Sequence, residues 1–306
     1  MTKHVAVLMG GWSAERDVSL ASGKACADVL EAEGYQITRI DVDRELAARL
    51  MEVKPDVVFN ALHGPYGEDG TVQGMLEIMG IPYTHSGVLA SALAMHKAHS
   101  RTIFKAAGIP IAEGKVVHRL TAAESHVYPP PYVLKPEDGG SSIGVFIVRE
   151  DQEHPPQELF SDDWKHGDRL LAERFVEGKE LTCAVMGNVA LGVIDIVPTA
   201  KFYDYESKYL PGGSKHVLPA EIKPNVYQEV QKLALKAHQA LGCRGVSRAD
   251  FRWDDRAEGT SGLVCLEVNT QPGMTETSLV PEIAAHAGHS FGELLRWMVE
   301  DASCNR

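Results

Sequence analysis

The chain has 306 residues, 44% of them hydrophobic, and a formal net charge of −12 from 30 basic and 42 acidic residues. That is enough apolar material for one large core or two to three modest ones, which excludes a disordered chain, and no basic block exists that could follow a phosphate backbone. Five cysteines, an odd number with no C-x-x-C spacing, exclude a disulfide framework and a zinc knuckle, and with no apolar stretch of about 18 residues they point to reduced thiols in a cytoplasmic protein.

Short β-branched runs alternate with amphipathic patterns over residues 5–9, 18–33, 36–41, 56–62 and 71–79. This rhythm predicts a parallel sheet with crossover helices, a Rossmann-like α/β domain. Such sheets bind ligands beyond the C-terminal ends of their strands, here at Gly10-Gly11 and the 63–70 loop. One helical pattern spans 88–107 and stops at Gly108, with Pro110 just beyond, and a domain boundary is expected near its start. Strand signals follow at 132–135, 144–148, 169–175, 180–186 and 189–197, separated by glycine turns, which predicts antiparallel pairing and an α+β region. Residues 199–215 are polar, aperiodic and rich in tyrosine, the profile of a lid loop. A helix is predicted over 224–241, strands over 245–253 and 263–268, and a closing helix over 291–300.

Neither the phosphate loop G-x-x-x-x-G-K-[ST] nor the dinucleotide fingerprint G-x-G-x-x-G occurs. Lys135, at the end of an apolar strand, and the turn 139–144 together offer a point charge and a nest of amides suited to phosphate; a plain hairpin turn is the alternative. Period-2 alternation puts Glu267 and Asn269 on one strand face, and with Asp250 they make an all-oxygen set suited to Mg²⁺. The alternative is a pair of surface acids, disfavoured because Cys265, Leu266 and Val268 are apolar. Arg248 shares a strand face with Asp250, and a structural arginine paired with a nearby acid is the competing reading there. His96 and His99, at i and i+3 without an H-E-x-x-H motif, are read as ordinary histidines, and a serine-hydrolase reading is set aside.

Taken in order, these pieces resemble the ATP-grasp superfamily and, within it, the D-alanine:D-alanine ligases. The resemblance spans nearly the whole chain: Gly10 to Leu20, His63 to Gly70, Lys97, Lys135-Pro136, Gly140-Ser141-Ser142-Ile143-Gly144, Glu173 with Glu180, Phe202 to Tyr209, Arg248 with Asp250, and Glu267 to Thr275. It implies an N-terminal substrate-binding domain at 1–95 and a two-part ATP-grasp fold at 96–180 and 181–306. Lys97, Lys135, Ser142 and Lys208 would serve the phosphates, Glu173, Arg174, Phe175 and Val176 the adenine, and Glu180 the ribose; Phe202 and Leu266 would complete the ATP site. Asp250, Glu267 and Asn269 would hold two Mg²⁺ ions, with Mn²⁺ able to substitute and a monovalent cation a further candidate. Glu15 would receive the ammonium of the first D-alanine, His63 would sit near its carboxylate, and Ser278 with Leu279 would receive the second. Tyr209 and Ser141 would bond to Glu15 and close the lid.

The implied reaction is ATP-dependent formation of D-alanyl-D-alanine through an acyl phosphate, for peptidoglycan precursors, with Arg248 and the Gly273 N–H on the oxyanion. The implied assembly is a homodimer. Rival readings are a ligase of D-lactate, disfavoured by Tyr209, a noncatalytic nucleotide-binding regulator, and a dehydrogenase. The chain departs from the family pattern at Gly139, where an acid is usual, and at Gln271, more often serine.

Overall fold

A computed structural model describes residues 2–140, 143–198, 213–275 and 277–305. Its strands form three sheets. The first is parallel, with β1 (His4–Gly10) between β2 (Gln36–Val42) and β3 (Val57–Asn60). Every β1 residue from Val5 to Gly10 is buried because helices cover both faces, which is why this strand reads as a continuous apolar run. On one face lie α2 (Leu46–Val53) and α3 (Thr71–Met79). On the other, α1 (Arg16–Ala32) comes so close that a Cβ at Gly23 would lie 2.4 Å from Met9.

The second sheet, in the order β4-β7-β5-β6, is antiparallel and comprises β4 (Gly114–His118), β5 (Tyr132–Pro136), β6 (Phe146–Val148) and β7 (Arg169–Arg174). The short helix α6 (Arg119–Glu124) packs on it. The third is a five-stranded antiparallel sheet, β10-β9-β8-β11-β12, built from β8 (Lys179–Met186), β9 (Val189–Pro198), β10 (Ser214–Val217), β11 (Val246–Trp253) and β12 (Leu263–Asn269). One face of it carries α7 (Pro224–Leu241) with α4 (Val88–Met95) and α5 (Lys97–Ala106). The other shares a core with β1 and α1, closed by α8 (Leu279–His286) and α9 (Phe291–Asp301). The first and third sheets are thus joined through buried apolar side chains such as Met9, Leu30, Ile194 and Leu294.

The expected single helix over 88–107 is two helices. His96 adopts an extended conformation between them, and the next amide, Lys97 N–H, donates to Glu137 O at 3.0 Å. A tertiary partner has replaced the intrahelical bond, so Lys97 opens a new helix. The end of the 199–215 stretch is also more regular than a loop, because β10 begins at Ser214; residues 199–212 lie outside the described residues.

Candidate functional site

Two cavities, of about 490 and 450 Å³, meet where the three sheets converge. Both are lined by Lys97, Gly139, Gly140, Glu180, Asp250 and Glu267. The first also contains Glu15, His63, Arg248, Asn269, Gly273, Ser278 and Leu279. The second contains Lys135, Glu173, Arg174, Phe175, Val176 and Leu266. All the described site residues of the sequence reading are therefore brought to one of two adjoining chambers. Ser141, Ser142, Phe202, Lys208 and Tyr209, and with them the test of the D-lactate alternative, lie outside the described residues.

In the first chamber, the β1 end turns sharply through Gly10 and Gly11, both with positive φ, and delivers Glu15 to the start of α1. Ser13 fixes this turn by donating to His63 O at 2.7 Å and accepting from Glu15 N–H at 3.2 Å. Gly64 (φ 73°) can be nothing larger, since a Cβ there would stand 2.8 Å from a Glu15 carboxylate oxygen. Glu68 accepts from Gly64 N–H at 2.7 Å, and burial together with the Glu15 charge pushes its carboxyl up to about 8. His63 lies 3.2 Å from Ser22 Oγ, and burial lowers it to about 4, so near neutral pH it offers hydrogen bonds and no charge. Ser278 stands at the N-cap position of α8 without a side-chain capping bond; its hydroxyl is 2.7 Å from Thr275 Oγ1 and accepts from Thr275 N–H at 3.0 Å.

The shared wall is made by β11 and β12. Arg248 faces Asn269 and Asp250 faces Glu267 across the pair, then a bulge follows in which Leu266 is the extra residue. Strict alternation fails there, and Leu266 reaches the second chamber while Cys265 is buried. Arg248 grips Asp250 through Nε (2.9 Å) and Nη2 (2.7 Å), and Thr182 Oγ1 donates to the same carboxylate at 2.6 Å. The pairing that the sequence leaves open for Arg248 is present, and the same guanidinium lines the first chamber.

Asp250, Glu267 and Asn269 present oxygen donors from two hydrogen-bonded strands towards the chambers, which fits a hard divalent cation. Among the described residues no group of three or more His, Cys, Asp or Glu side chains could hold a metal, and Asn269 Oδ1 accepts from Gln271 N–H at 2.8 Å. The His96 and His99 rings lie 3.9 Å apart between centroids, tilted by 57°, and form no metal group among the described residues.

In the second chamber Lys135 pairs with Glu173, and Arg101 pairs with the same carboxylate while donating to Ala112 O at 2.6 Å. Lys97 is buried, which lowers its pKa, and donates to Gly139 O. Phe175 stands between the guanidinium groups of Arg149 and Arg252, at 5.5 and 5.4 Å. Gly140 to Gly144 spells G-x-S-x-G, but it connects two antiparallel strands, whereas a nucleophile elbow joins a strand to a helix.

Sequence reasoning gave no role to Glu68, Arg101, Arg252 or Gln271, although Glu68 and Gln271 lie in its motifs. Gln271 is buried, accepts from Asn60 Nδ2 at 2.8 Å and donates to Leu62 O, so it ties the end of β12 to the loop after β3. A serine would be too short for both bonds. Arg252 was findable in principle, two residues beyond Asp250. Arg101 was not, because its partner Glu173 is 72 residues away.

A family model described as D-ala D-ala ligase C-terminus matches residues 103–300, and one described as D-ala D-ala ligase N-terminus matches 47–86. The chain is 68% identical over 306 residues to a D-alanine--D-alanine ligase of Xanthobacter autotrophicus, covering 100% of both chains. It is 66% identical to D-alanine--D-alanine ligase B of Mesorhizobium japonicum, covering 100% of this chain and 99% of the other. A crystal structure of D-alanine--D-alanine ligase from Bacillus anthracis complexed with ATP superposes with a TM-score of 0.80 at 30% identity, covering 98% and 97% of the two chains.

Proposed function

Because the chain belongs to the D-alanine:D-alanine ligase family, we infer that it joins two D-alanine molecules to D-alanyl-D-alanine at the expense of ATP, for peptidoglycan precursors. The observation that carries this reading is the pair of chambers with a common wall, the first holding Glu15, His63 and Ser278, the second Lys135 and residues 173–176, with Lys97 and Gly139-Gly140 common to both. A reaction that moves a phosphoryl group from a nucleotide to an amino acid needs such an arrangement.

In this reading the first D-alanine places its ammonium on Glu15 and its carboxylate near His63. Lys97 and Lys135 hold the phosphates, Lys135 exchanging Glu173 for a phosphate oxygen, while residues 173–176 and Glu180 hold the nucleoside. Transfer of the γ-phosphoryl group to the first carboxylate gives an acyl phosphate and ADP. The amine of the second D-alanine, held by Ser278 and Leu279, attacks that carbonyl, and phosphate leaves. Arg248 and the Gly273 N–H are positioned to hold the oxyanion, an interaction worth roughly 3 to 4 kcal/mol. Asp250, Glu267 and Asn269 would hold Mg²⁺ or Mn²⁺, which supplies neutralisation of phosphoryl charge. Family likeness is the ground for assigning Ser141, Ser142, Phe202, Lys208 and Tyr209 to the ATP site and its closure, for the division at 1–95, 96–180 and 181–306, and for a homodimer. A cytoplasmic location accords with five free cysteines and with no helix among the described residues being long and apolar enough to cross a membrane.

The test is nucleotide release by purified protein with Mg-ATP and a panel of D- and L-amino acids. ADP and phosphate should appear with D-alanine. AMP and pyrophosphate, or no dependence on D-alanine, would overturn the reading.

A further inference from the structure

His216 belongs to no motif identified in the sequence, yet it lines the first chamber with Ser278 and Leu279. It lies on β10, the edge strand of the third sheet, directly opposite Ile196 of β9, which lines the same chamber. Its ring is held at both nitrogens: Nδ1 is 2.6 Å from Glu282 Oε2 and Nε2 is 3.4 Å from Ser214 Oγ. Glu282 is in the first turn of α8, the helix with Ser278 at its N-cap position, and its amide donates to Ser278 O at 3.1 Å. The His216–Glu282 bridge therefore runs from the sheet edge to the turn of helix that presents Ser278 and Leu279.

The first turn of α8 has few other polar restraints of this kind. The Ser278 hydroxyl bonds to Thr275, three residues away in the same loop, which shapes the loop locally but does not fix it against the sheet. The bridge spans 66 residues of sequence and is only partly exposed, 22% and 34% for the two side chains. A short imidazole–carboxylate bond in such a place restricts rotation of the helix start.

We propose that His216 and Glu282 form a positioning pair that aims Ser278 and Leu279 at the carboxylate of the second D-alanine, so that they set its affinity and not that of the first. This rests on the reading of Ser278 and Leu279 as the second-substrate site. The pair touches no reacting atom in this scheme, and its effect should fall on one Michaelis constant alone.

The experiment measures both D-alanine constants, the ATP constant and kcat, with melting temperatures, for His216→Phe, His216→Asn, Glu282→Ala, the double variant His216→Phe/Glu282→Ala and, as a reference, Ser278→Ala. Phenylalanine keeps the ring without a donor, while asparagine retains a donor near the position of Nδ1. His216→Phe and Glu282→Ala should each raise the second D-alanine constant about tenfold, the size of one charge-assisted hydrogen bond. The first constant, the ATP constant and kcat should stay within about twofold, His216→Asn should recover most of the loss, and the double variant should be no worse than either single one. An unchanged second constant in His216→Phe, with Ser278→Ala raised, overturns the positioning pair alone. An unchanged constant in Ser278→Ala overturns the second-substrate assignment and the pair with it. A rise in all constants together, or additive single effects, would mark the bridge as merely structural and also overturn the proposal.

Discussion

The two chambers share a wall but differ in how their buried charges are held. In the second, Arg101 and Lys135 both hold Glu173, two cations against one carboxylate, with Lys97 buried nearby. In the first, Glu15 and Glu68 are buried close enough to raise the Glu68 carboxyl, and His63 is kept neutral. Buried charge is costly unless neutralised: the second chamber pairs its buried carboxylate with cations, and the first leaves a proton on Glu68. The wall between them mixes both signs, with Arg248 on the first chamber's side and its partner Asp250, like Glu267, lining both. The most informative substitutions are therefore those that change one of these held charges on one side of the wall only.

The largest effect is expected on the wall. Glu267→Gln keeps shape and removes one charge from the proposed cation site, and turnover should fall by roughly a thousandfold or more with the fold intact, as judged by circular dichroism and melting. Near-normal turnover at saturating Mg²⁺ would contradict the ligand role and leave Glu267 as a mere lining residue.

Next comes Arg248→Lys, which preserves charge but loses the fork. Turnover should drop by about a hundredfold, the usual cost of one oxyanion donor, with the ATP constant little changed. Because the fork also braces Asp250, a small fall in melting temperature is expected as well. An enzyme that is less stable yet fully active per folded molecule would show that the arginine serves Asp250 and not the reaction.

These two positions were legible in the sequence because period-2 alternation survives as far as the β11–β12 bulge, and so were the parallel sheet and most strands. What was hidden depends on contacts between distant segments. The helix break at His96 follows from the Lys97 amide meeting Glu137 O across a gap of 40 residues that no local periodicity registers. The bulge that turns Leu266 into the second chamber is a property of strand pairing. Lys135 reads as a phosphate-seeking lysine until Glu173 and Arg101 are seen around it. Helix α8 escaped because a proline at its third position and a run of small residues blur its pattern.

A smaller effect, on stability, is expected at Gln271, which belongs to the seam between the first and third sheets. Gln271→Ser, the residue more usual in the family, should lose the bonds to Asn60 and Leu62 O and leave buried polar groups unsatisfied, at a cost of about 1 to 3 kcal/mol. Differential scanning calorimetry would register this as a drop of several degrees or less, with the ATP constant unaffected. An unchanged melting temperature would mean that the seam is held by its apolar contacts alone.

The finest test of the charge difference is the pH dependence of Glu68. Its folded-state pKa is pushed up to about 8, first by burial and then by the Glu15 charge, from a reference of 4.5. The folded protein therefore keeps a proton that the unfolded chain releases above about pH 4.5. The stabilisation from this proton is complete below pH 4.5 and is lost progressively as pH rises through 8, the opposite sign to an ordinary salt-bridged carboxylate. Glu68→Gln mimics the protonated form and cannot titrate. In metal-free protein, the melting temperature of the variant minus that of the parent should be lowest near pH 5 and rise by a few degrees by pH 9. The second chamber supplies the control, since Glu173→Gln removes a carboxylate already held by two cations and should destabilise at both pH values. If the difference for Glu68→Gln is flat across this range, neither burial nor the Glu15 charge raises the Glu68 carboxyl, and Glu68 stands ionised beside Glu15 near neutral pH.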